Sequence, residues 1–188
     1  MENRTNGLVA NVSERTLSGL CPAIYLALSA MILALAVTTA TARADEFHLL
    51  VNGKAVHLDH RPDVQYNESN WGTGFQYDFE KSRANWVPFV TVSGFSDSNS
   101  NPSYYAGGGW LKRHSFSLNG HHLHGDVGVV GFLMVREGFR DHKPFPGVLP
   151  AFSIGGKRAS VNITYIPRVD PKMVPILFFQ LKLKLSAF

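Results

Sequence analysis

Residues 71–79 read WGTGFQYDF, a stretch in which large side chains alternate with glycine or polar ones. One face carries Trp71, Thr73, Phe75, Tyr77 and Phe79. A period of two residues predicts a β-strand with one apolar face. The same alternation recurs at residues 159–165 and 176–185, where Leu and Ile positions oppose Ser, Asn, Gln and Lys positions. The fold class is therefore predicted to be all-β.

The first 44 residues have the layout of a secretory signal peptide. Two arginines precede an uncharged apolar run at 22–40, and the Ala-Arg-Ala at 42–44 is a small-x-small cleavage site. We predict cleavage before Asp45, which divides the chain into a signal peptide at 1–44 and a folded domain at 45–188. The alternative is an uncleaved membrane anchor, for which the apolar run is short.

Two all-β architectures produce the alternation. A soluble sandwich buries its apolar faces between two sheets, whereas a membrane barrel turns them to lipid and keeps the polar faces inside. Three features favour the barrel: the predicted signal peptide, the 12% aromatic content and the final Phe188. We therefore predict an eight-stranded antiparallel transmembrane β-barrel in the bacterial outer membrane.

The composition excludes several classes of protein. A hydrophobic content of 45% excludes a disordered chain, and the single Cys21 excludes a disulfide framework. The net charge of +4 is too small to indicate nucleic-acid binding. His122 and His124 share a strand face, but no further residue at ligand spacing completes a metal set. We expect a monomer with no metal ion and no cofactor.

Eight strands of the length that spans a membrane, ~9–11 residues, fit the domain. We predict them at 47–58, 70–80, 84–95, 103–113, 121–135, 147–155, 158–166 and 174–185. Longer, more polar connections are expected at 59–69, 96–102, 136–146 and 167–173. Short turns that alternate with long loops are typical of outer-membrane barrels.

This topology brings reactive side chains to one rim. The ends of odd-numbered strands share one side of an up-and-down barrel, so His57, Asp97 and Ser98 are expected on the long-loop side. A serine nucleophile, a histidine base and an orienting aspartate can perform acyl transfer. From spacing alone, the alternative is that Asp97 and Ser98 only form a turn and that the histidine is structural.

The predicted strands also carry five distinctive motifs. They are YNE at 66–68 with WGTGF at 71–75, GFSDS at 94–98, AGGGW at 106–110, PFPGVLP at 144–150 and ITYIP at 163–167. Together they resemble the outer-membrane lipid A palmitoyltransferases, the PagP family, over about residues 66–185. The prolines are the most specific part, because proline is normally kept out of paired strands.

The resemblance implies an acyltransferase that moves a palmitoyl-like chain from a glycerophospholipid donor to a lipid A acceptor. It places the catalytic residues at His57, Asp97 and Ser98, with His60 as an alternative base. Two other activities stay open: a lipid hydrolase that uses the same triad with water as acceptor, and a non-catalytic barrel that binds lipid or has a structural role.

The resemblance also implies an acyl-chain pocket inside the barrel. Gly109 falls where the family has the glycine at the pocket floor, and Gly107 lies on the same strand face. The alternative is that these glycines only let a coiled strand bend. Because proline lacks an N–H group, Pro146, Pro150 and Pro167 predict a lateral gate between strands six and seven.

Overall fold

The computed structural model describes residues 45–59, 65–137, 139–168 and 174–187. The predicted signal peptide lies outside the described residues. The eight strands are β1 (Glu46–His57), β2 (Ser69–Asp78), β3 (Trp86–Ser96), β4 (Pro102–Leu118), β5 (His121–Arg136), β6 (Phe145–Gly155), β7 (Ala159–Ile166) and β8 (Ile176–Ala187). A short 3-10 turn, Arg140–His142, lies between β5 and β6. No helix in the described part of the chain is long and apolar enough to cross a membrane.

The sheet closes into an antiparallel barrel. Each strand pairs with the next one along the chain, and β8 pairs with β1. The predicted eight-stranded barrel is therefore confirmed. Since neighbouring strands run in opposite directions, β1, β3, β5 and β7 all end at one side, here termed the loop rim. The opposite side, where β2, β4 and β6 end, is termed the turn rim.

The alternation in the sequence separates the outer surface of the barrel from its interior. On β2, Trp71 and Phe75 are 67% and 45% exposed, whereas Gln76 and Asp78 are 3% and 2% exposed. On β8, Leu181 is exposed and its neighbour Lys182 is buried. An apolar outer surface around a polar interior is the arrangement of a barrel in lipid.

The interior joins distant strands through buried polar side chains. The Asn52 amide donates to Ser93 Oγ at 2.7 Å, and the Gln180 amide donates to Asn52 Oδ1 at 2.5 Å. The same Gln180 nitrogen donates to the Tyr105 hydroxyl at 2.8 Å. These bonds tie β1, β3, β4 and β8 together across the interior. The wall formed by β3, β4 and β5 carries the main apolar cluster, which consists of Val87, Phe89, Leu111 and Val130.

The hairpin of β4 and β5 is longer than the sequence predicted. Strand four was expected to end at residue 113, but β4 pairs with β5 as far as Leu118 opposite His121. Asn119 and Gly120 form the turn, with φ values of 50° and 80°. Asn-Gly suits such a two-residue turn because both positions need positive φ. Residues 114–118 are exposed. Phe116 and Leu118 alternate there with serines, so the strand pattern continues past residue 113.

The pattern of short turns and long loops is only partly as predicted. The connection between β2 and β3 covers 79–85, and it is longer than the loop between β3 and β4 at 97–101. Backbone bonds stabilise this longer turn: Ser82 N–H donates to the Trp86 carbonyl, and Arg113 N–H donates to the Asn85 carbonyl, both near 2.9 Å. The extended β4 therefore supports the turn from the side.

Candidate active site

The loop rim brings together residues that are far apart in the sequence. His57 is the last residue of β1, and Ser98 lies in the loop at 97–101 that follows β3. His57 Nε2 is 3.2 Å from Ser98 Oγ. The His57 side chain is 1% exposed, so the imidazole is held out of bulk water at the rim. A serine hydroxyl within hydrogen-bond distance of a histidine nitrogen is the arrangement of an activated nucleophile.

The loop that carries Ser98 is closed by the carboxylate of Asp97. Oδ1 accepts hydrogen bonds from the backbone N–H groups of Asn99 and Asn101 at 2.8 Å and 3.0 Å. Oδ2 accepts two from the Arg136 guanidinium, at 2.7 Å from Nη2 and 3.0 Å from Nε. The Ser103 hydroxyl donates a longer bond to Oδ2 at 3.4 Å. The two oxygens of Asp97 thus anchor the loop to the end of β5.

These bonds also set the charge of Asp97. Burial raises the pKa of the carboxyl, but the hydrogen bonds from Arg136, Asn101 and Asn99 outweigh burial and hold the pKa below its ordinary value. Asp97 is therefore ionised at neutral pH. Its negative charge is balanced by Arg136, the last residue of β5.

Residues 66–68 form the other side of the site, which the sequence reading used only as a family motif. The Tyr66 ring stacks on the His57 imidazole, with 4.2 Å between centroids and 15° between planes. The backbone N–H of Asn67 donates to the Ser98 carbonyl at 2.8 Å, and its amide donates to the Asp97 carbonyl at 3.2 Å. Glu68 Oε1 lies 3.7 Å from His57 Nδ1. The segment therefore contacts both His57 and the loop of Ser98.

Other predicted features of this rim are only partly described. His60, the alternative base, lies outside the described residues. Asp59 and Arg168 form an exposed ion pair that links the segment after β1 to the segment after β7.

The two pocket glycines face the barrel interior, next to the apolar cluster. Gly109 pairs with Phe89 on β3 and with Val130 on β5. A Cβ atom at Gly109 would lie 1.9 Å from the Val129 carbonyl oxygen, and one at Gly107 would lie 2.3 Å from the Gly131 carbonyl oxygen. The close approach of the β4 and β5 backbones therefore requires glycine at both positions. Strand packing alone therefore explains both glycines, and a pocket floor at the same place stays a prediction.

The proline-rich strand β6 pairs unequally with its two neighbours. It pairs with β5 from Phe145 to Gly155, but with β7 only from Ala151 to Gly155. Pro146 and Pro150 lie in the part of β6 without a β7 partner, and Pro167 follows the last residue of β7. The seam between β6 and β7 is therefore paired near the turn rim and unpaired toward the loop rim.

The turn rim holds a separate group of buried charges. Lys182 Nζ lies 3.0 Å from Asp78 Oδ2, and Lys184 Nζ lies 2.6 Å from Glu46 Oε1. Glu46, His48 and Asp78 lie close enough together to be considered as metal ligands. Lysine ammonium groups already neutralise both carboxylates, however, so these residues have the chemistry of an ion-pair network. His122 bonds to Ser117 at 3.2 Å on the exposed end of the β4–β5 hairpin.

Comparison with known proteins extends this picture. Residues 39–182 match the family described as "Antimicrobial peptide resistance and lipid A acylation protein PagP". The lipid A acyltransferase PagP of Methylobacillus flagellatus is 34% identical over 103 residues, which cover 54% of this chain and 53% of that protein. The protein of the same name from Bordetella pertussis (strain Tohama I) is 31% identical over 102 residues, covering 54% of each chain. That of Legionella pneumophila is 30% identical over 110 residues, covering 57% and 56%.

The aligned part of the chain spans about half the length of the curated relatives it matches. The family match is longer and covers most of the chain, including nearly the whole barrel. With the closed eight-stranded barrel, that match shows that this chain belongs to the PagP family.

Proposed function

We propose that this protein transfers a fatty acyl chain from a glycerophospholipid to lipid A in the bacterial outer membrane. The observation that carries the proposal is the distance of 3.2 Å between His57 Nε2 and Ser98 Oγ at the loop rim, in a barrel of the PagP family. The relatives are named lipid A acyltransferases. The apolar outer surface supports a membrane location, where donor and acceptor lipids are both present.

In the proposed reaction, His57 takes the proton of Ser98 as Oγ attacks the carbonyl carbon of the donor ester. The bond from that carbon to the glycerol oxygen breaks, and His57 returns the proton to this oxygen. A hydroxyl of lipid A then attacks the carbonyl carbon of the acyl-serine, and His57 takes the proton of that hydroxyl. The bond from the carbon to Ser98 Oγ breaks, and His57 returns the proton to Oγ. The acyl chain has moved and the enzyme is restored.

The proposed route for the donor chain is the seam between β6 and β7. A closed barrel otherwise pairs every backbone group in the sheet and offers no lateral opening to lipid. The seam lacks strand pairs beyond Ala151 and Thr164, so Pro146, Pro150 and Pro167 are proposed to border a lateral gate. The acyl chain is proposed to extend toward Gly107 and Gly109 in the interior.

The test is the lipid A profile of outer membranes that contain the wild-type protein or a variant. We expect mass spectrometry to show lipid A with one added acyl chain for the wild type. Ser98→Ala, His57→Ala and Asp97→Ala should each lower acyl transfer by several orders of magnitude. Ser117→Ala is the matched control, because Ser117 pairs with His122 at the same distance of 3.2 Å on the turn rim. It should keep wild-type activity.

The same profile separates the proposal from its two alternatives. Loss of an acyl chain from lipid A or phospholipid would indicate a hydrolase. An unchanged profile with a folded barrel would indicate a lipid-binding or structural protein. Either result would contradict acyl transfer, and full activity in Ser98→Ala would exclude the serine as nucleophile.

A further inference from the structure

The imidazole of His57 can act as a base toward Ser98 in only one tautomer. Nε2 faces Ser98 Oγ and must be free of hydrogen to accept its proton. Nδ1 must then carry the ring hydrogen, as in every arrangement where one imidazole nitrogen serves as a base. A negative charge close to Nδ1 favours a hydrogen on that nitrogen, and so favours the tautomer that is ready for the reaction.

We propose that Glu68 is the positioning residue that holds His57 in this tautomer, rather than Asp97. Glu68 Oε1 lies 3.7 Å from Nδ1, and the same oxygen lies 3.5 Å from the backbone nitrogen of His57. One carboxylate oxygen thus faces both the ring and the main chain of the histidine. This inference rests on the proposed function, because it assigns a role in the same reaction.

The neighbours of Glu68 support this placement. Tyr66 covers the face of the imidazole, which fixes the plane of the ring, and Asn67 binds the loop of Ser98 through two hydrogen bonds. Lys54 Nζ lies 3.4 Å from the other oxygen of Glu68, Oε2, which leaves Oε1 directed at His57. Of these three successive residues, Tyr66 contacts the base, Asn67 holds the loop of the nucleophile, and Glu68 supplies the orienting carboxylate.

Asp97 has a different set of partners. Its two oxygens accept hydrogen bonds from the backbone of Asn99 and Asn101 and from Arg136. These bonds place the loop of Ser98. Asp97 therefore serves the nucleophile, while Glu68 serves the base.

The charges at the rim favour an ionised Glu68. The backbone N–H of His57 and the ammonium of Lys54 lower the pKa of the Glu68 carboxyl. The other charged side chains described at this rim are the Asp97–Arg136 pair, the Asp59–Arg168 pair, Glu137, and Arg140, Asp141 and Lys143 of the connection between β5 and β6. Glu68 is itself paired with Lys54, but its Oε1 lies 3.7 Å from Nδ1, so replacing this carboxylate changes the charge directly beside the imidazole.

The experiment compares wild type with Glu68→Gln in detergent micelles that contain phospholipid donor and lipid A acceptor. We expect kcat to fall about ten- to hundredfold, as for other residues that orient a functional histidine, with a smaller change in KM. NMR of ring-labelled histidine should show a lower pKa for His57 in Glu68→Gln, because a nearby negative charge is lost. The acidic limb of the pH–rate profile should move to lower pH by the same amount.

Glu137→Gln is the matched control, since Glu137 is an exposed glutamate that follows β5 at the same rim. It removes the same charge from the rim and should leave both kcat and the His57 titration unchanged. If Glu68→Gln does not give a folded barrel, Glu68→Asp replaces it. The shortened carboxylate should lower kcat and shift the titration in the same direction by less.

Two results would overturn the inference. One is a wild-type kcat in the Glu68 variant, and the other is a reduced kcat with an unchanged His57 titration and tautomer. The NMR titration needs no turnover. If the wild type transfers no acyl chain, the proposed function fails, while a shifted titration in Glu68→Gln still supports the contact between Glu68 and His57.

Discussion

Ser98 owes its position to the residue before it. One oxygen of the Asp97 carboxylate accepts hydrogen bonds from backbone N–H groups of the loop at 97–101, and the other accepts hydrogen bonds from the Arg136 guanidinium. A loop of this length would otherwise be free to move at the rim. The proposed nucleophile must stay within hydrogen-bond distance of its proposed base, so a loop shift of about 1 Å is expected to lower the rate substantially.

Acid should release this loop before it unfolds the barrel. The folded state holds the pKa of Asp97 below its ordinary value, which is about 4. The ionised carboxylate therefore stabilises the loop at all pH values above about 4, and this stabilisation is lost as pH falls through the lower, folded-state pKa. The protection of the Asn99 and Asn101 amides from hydrogen exchange, relative to the intrinsic rate at each pH, should stay high down to about pH 4 and fall below it.

Asp97→Asn is the control for this pH dependence. The variant has no carboxyl to titrate, so exchange of the two amides should be faster at neutral pH and should lose its acid transition. An acid transition that persists in Asp97→Asn would assign the effect to another group at the rim.

At the scale of the strands, β6 is the element whose two edges differ most. Its β5 edge is paired along its whole length, whereas its β7 edge is paired only at Ala151–Gly155. The prolines lie in the unpaired half, where a missing N–H group costs no ladder bond to β7. The strand thus stays in the barrel through β5, while the half of its β7 edge nearer the loop rim is unpaired.

Replacing these prolines restores backbone N–H donors, which should narrow the proposed lateral gate between β6 and β7. We expect Pro146→Ala combined with Pro150→Ala to slow acyl transfer from bilayer phospholipid, because new N–H groups can pair with the outer end of β7. Transfer from a short, water-soluble donor ester should change less, since such a donor can reach the rim without passing between strands. The measurement is the ratio of the two rates.

Pro88→Ala provides the matched control for the seam. Pro88 lies within β3 and pairs with Trp110 on β4. On its other side, the Pro88 carbonyl accepts a hydrogen bond from the N–H of Phe79, directly after β2. The variant should leave the ratio of rates unchanged. A ratio that also stays unchanged in the double variant of β6 would place lipid access elsewhere.

Gly109 shows how one position can serve both strand packing and the proposed pocket. Because a Cβ atom there would collide with the Val129 carbonyl, Gly109→Met should lower the free energy of unfolding by about 1–3 kcal/mol. If the pocket floor lies at Gly109, the variant should also select shorter acyl chains. Mass spectrometry of lipid A acylated from mixed donors measures this selection.

Gly109→Ala separates strain from pocket length. Alanine brings the same Cβ collision but only a methyl group, so its shift in chain length should be clearly smaller than that of methionine. An equal shift in the two variants would assign the effect to strain. An unchanged preference in active Gly109→Met would place the pocket floor elsewhere.

The molecule as a whole keeps its proposed reaction site and its buried charge cluster at opposite rims. The loop rim holds His57 and Ser98, while the turn rim holds Asp78 and Lys182, each 2% exposed. The full length of the strands separates the two groups. We therefore expect the ionic cluster to affect the stability of the barrel and not the proposed reaction.

Breaking the Asp78–Lys182 pair tests this separation. Lys182→Met leaves a buried carboxylate without its nearest cation, and such a loss typically costs about 3–5 kcal/mol. Arg113, at 4.0 Å from Asp78, should offset part of it. Urea unfolding in lipid vesicles should show the loss, while acyl transfer by the folded protein stays at its wild-type rate.

Lys184→Met is the control for the cluster. The pair of Lys184 with Glu46 is a quarter exposed, so its loss should cost at most about 1 kcal/mol. Equal costs for the two lysine variants, or a fall in acyl transfer in Lys182→Met, would contradict the separation of the two rims.

The local pattern of the sequence predicted most of the architecture. Alternation is a property of neighbouring residues, so it identified the strands and the outward faces of Trp71 and Phe75 without any long-range information. The predicted fourth strand ended too early, at residue 113, although Phe116 and Leu118 continue the alternation up to the Asn119–Gly120 turn. The proline motifs indicated the seam between β6 and β7, because a missing N–H group is also a local property.

Local patterns predicted the strand faces, the barrel class and the candidates His57, Asp97 and Ser98, whose catalytic roles stay predictions. Which of their atoms meet follows from the folded barrel alone. The register of eight closed strands and the bulges in β1 bring His57 to Ser98 and turn Asp97 toward Arg136. The approach of Glu68 to Nδ1 depends on that same closure, because a loop segment next to β2 must fold over the end of β1. Such contacts depend on the registers of all eight strand pairs together, and a local sequence pattern does not specify those registers.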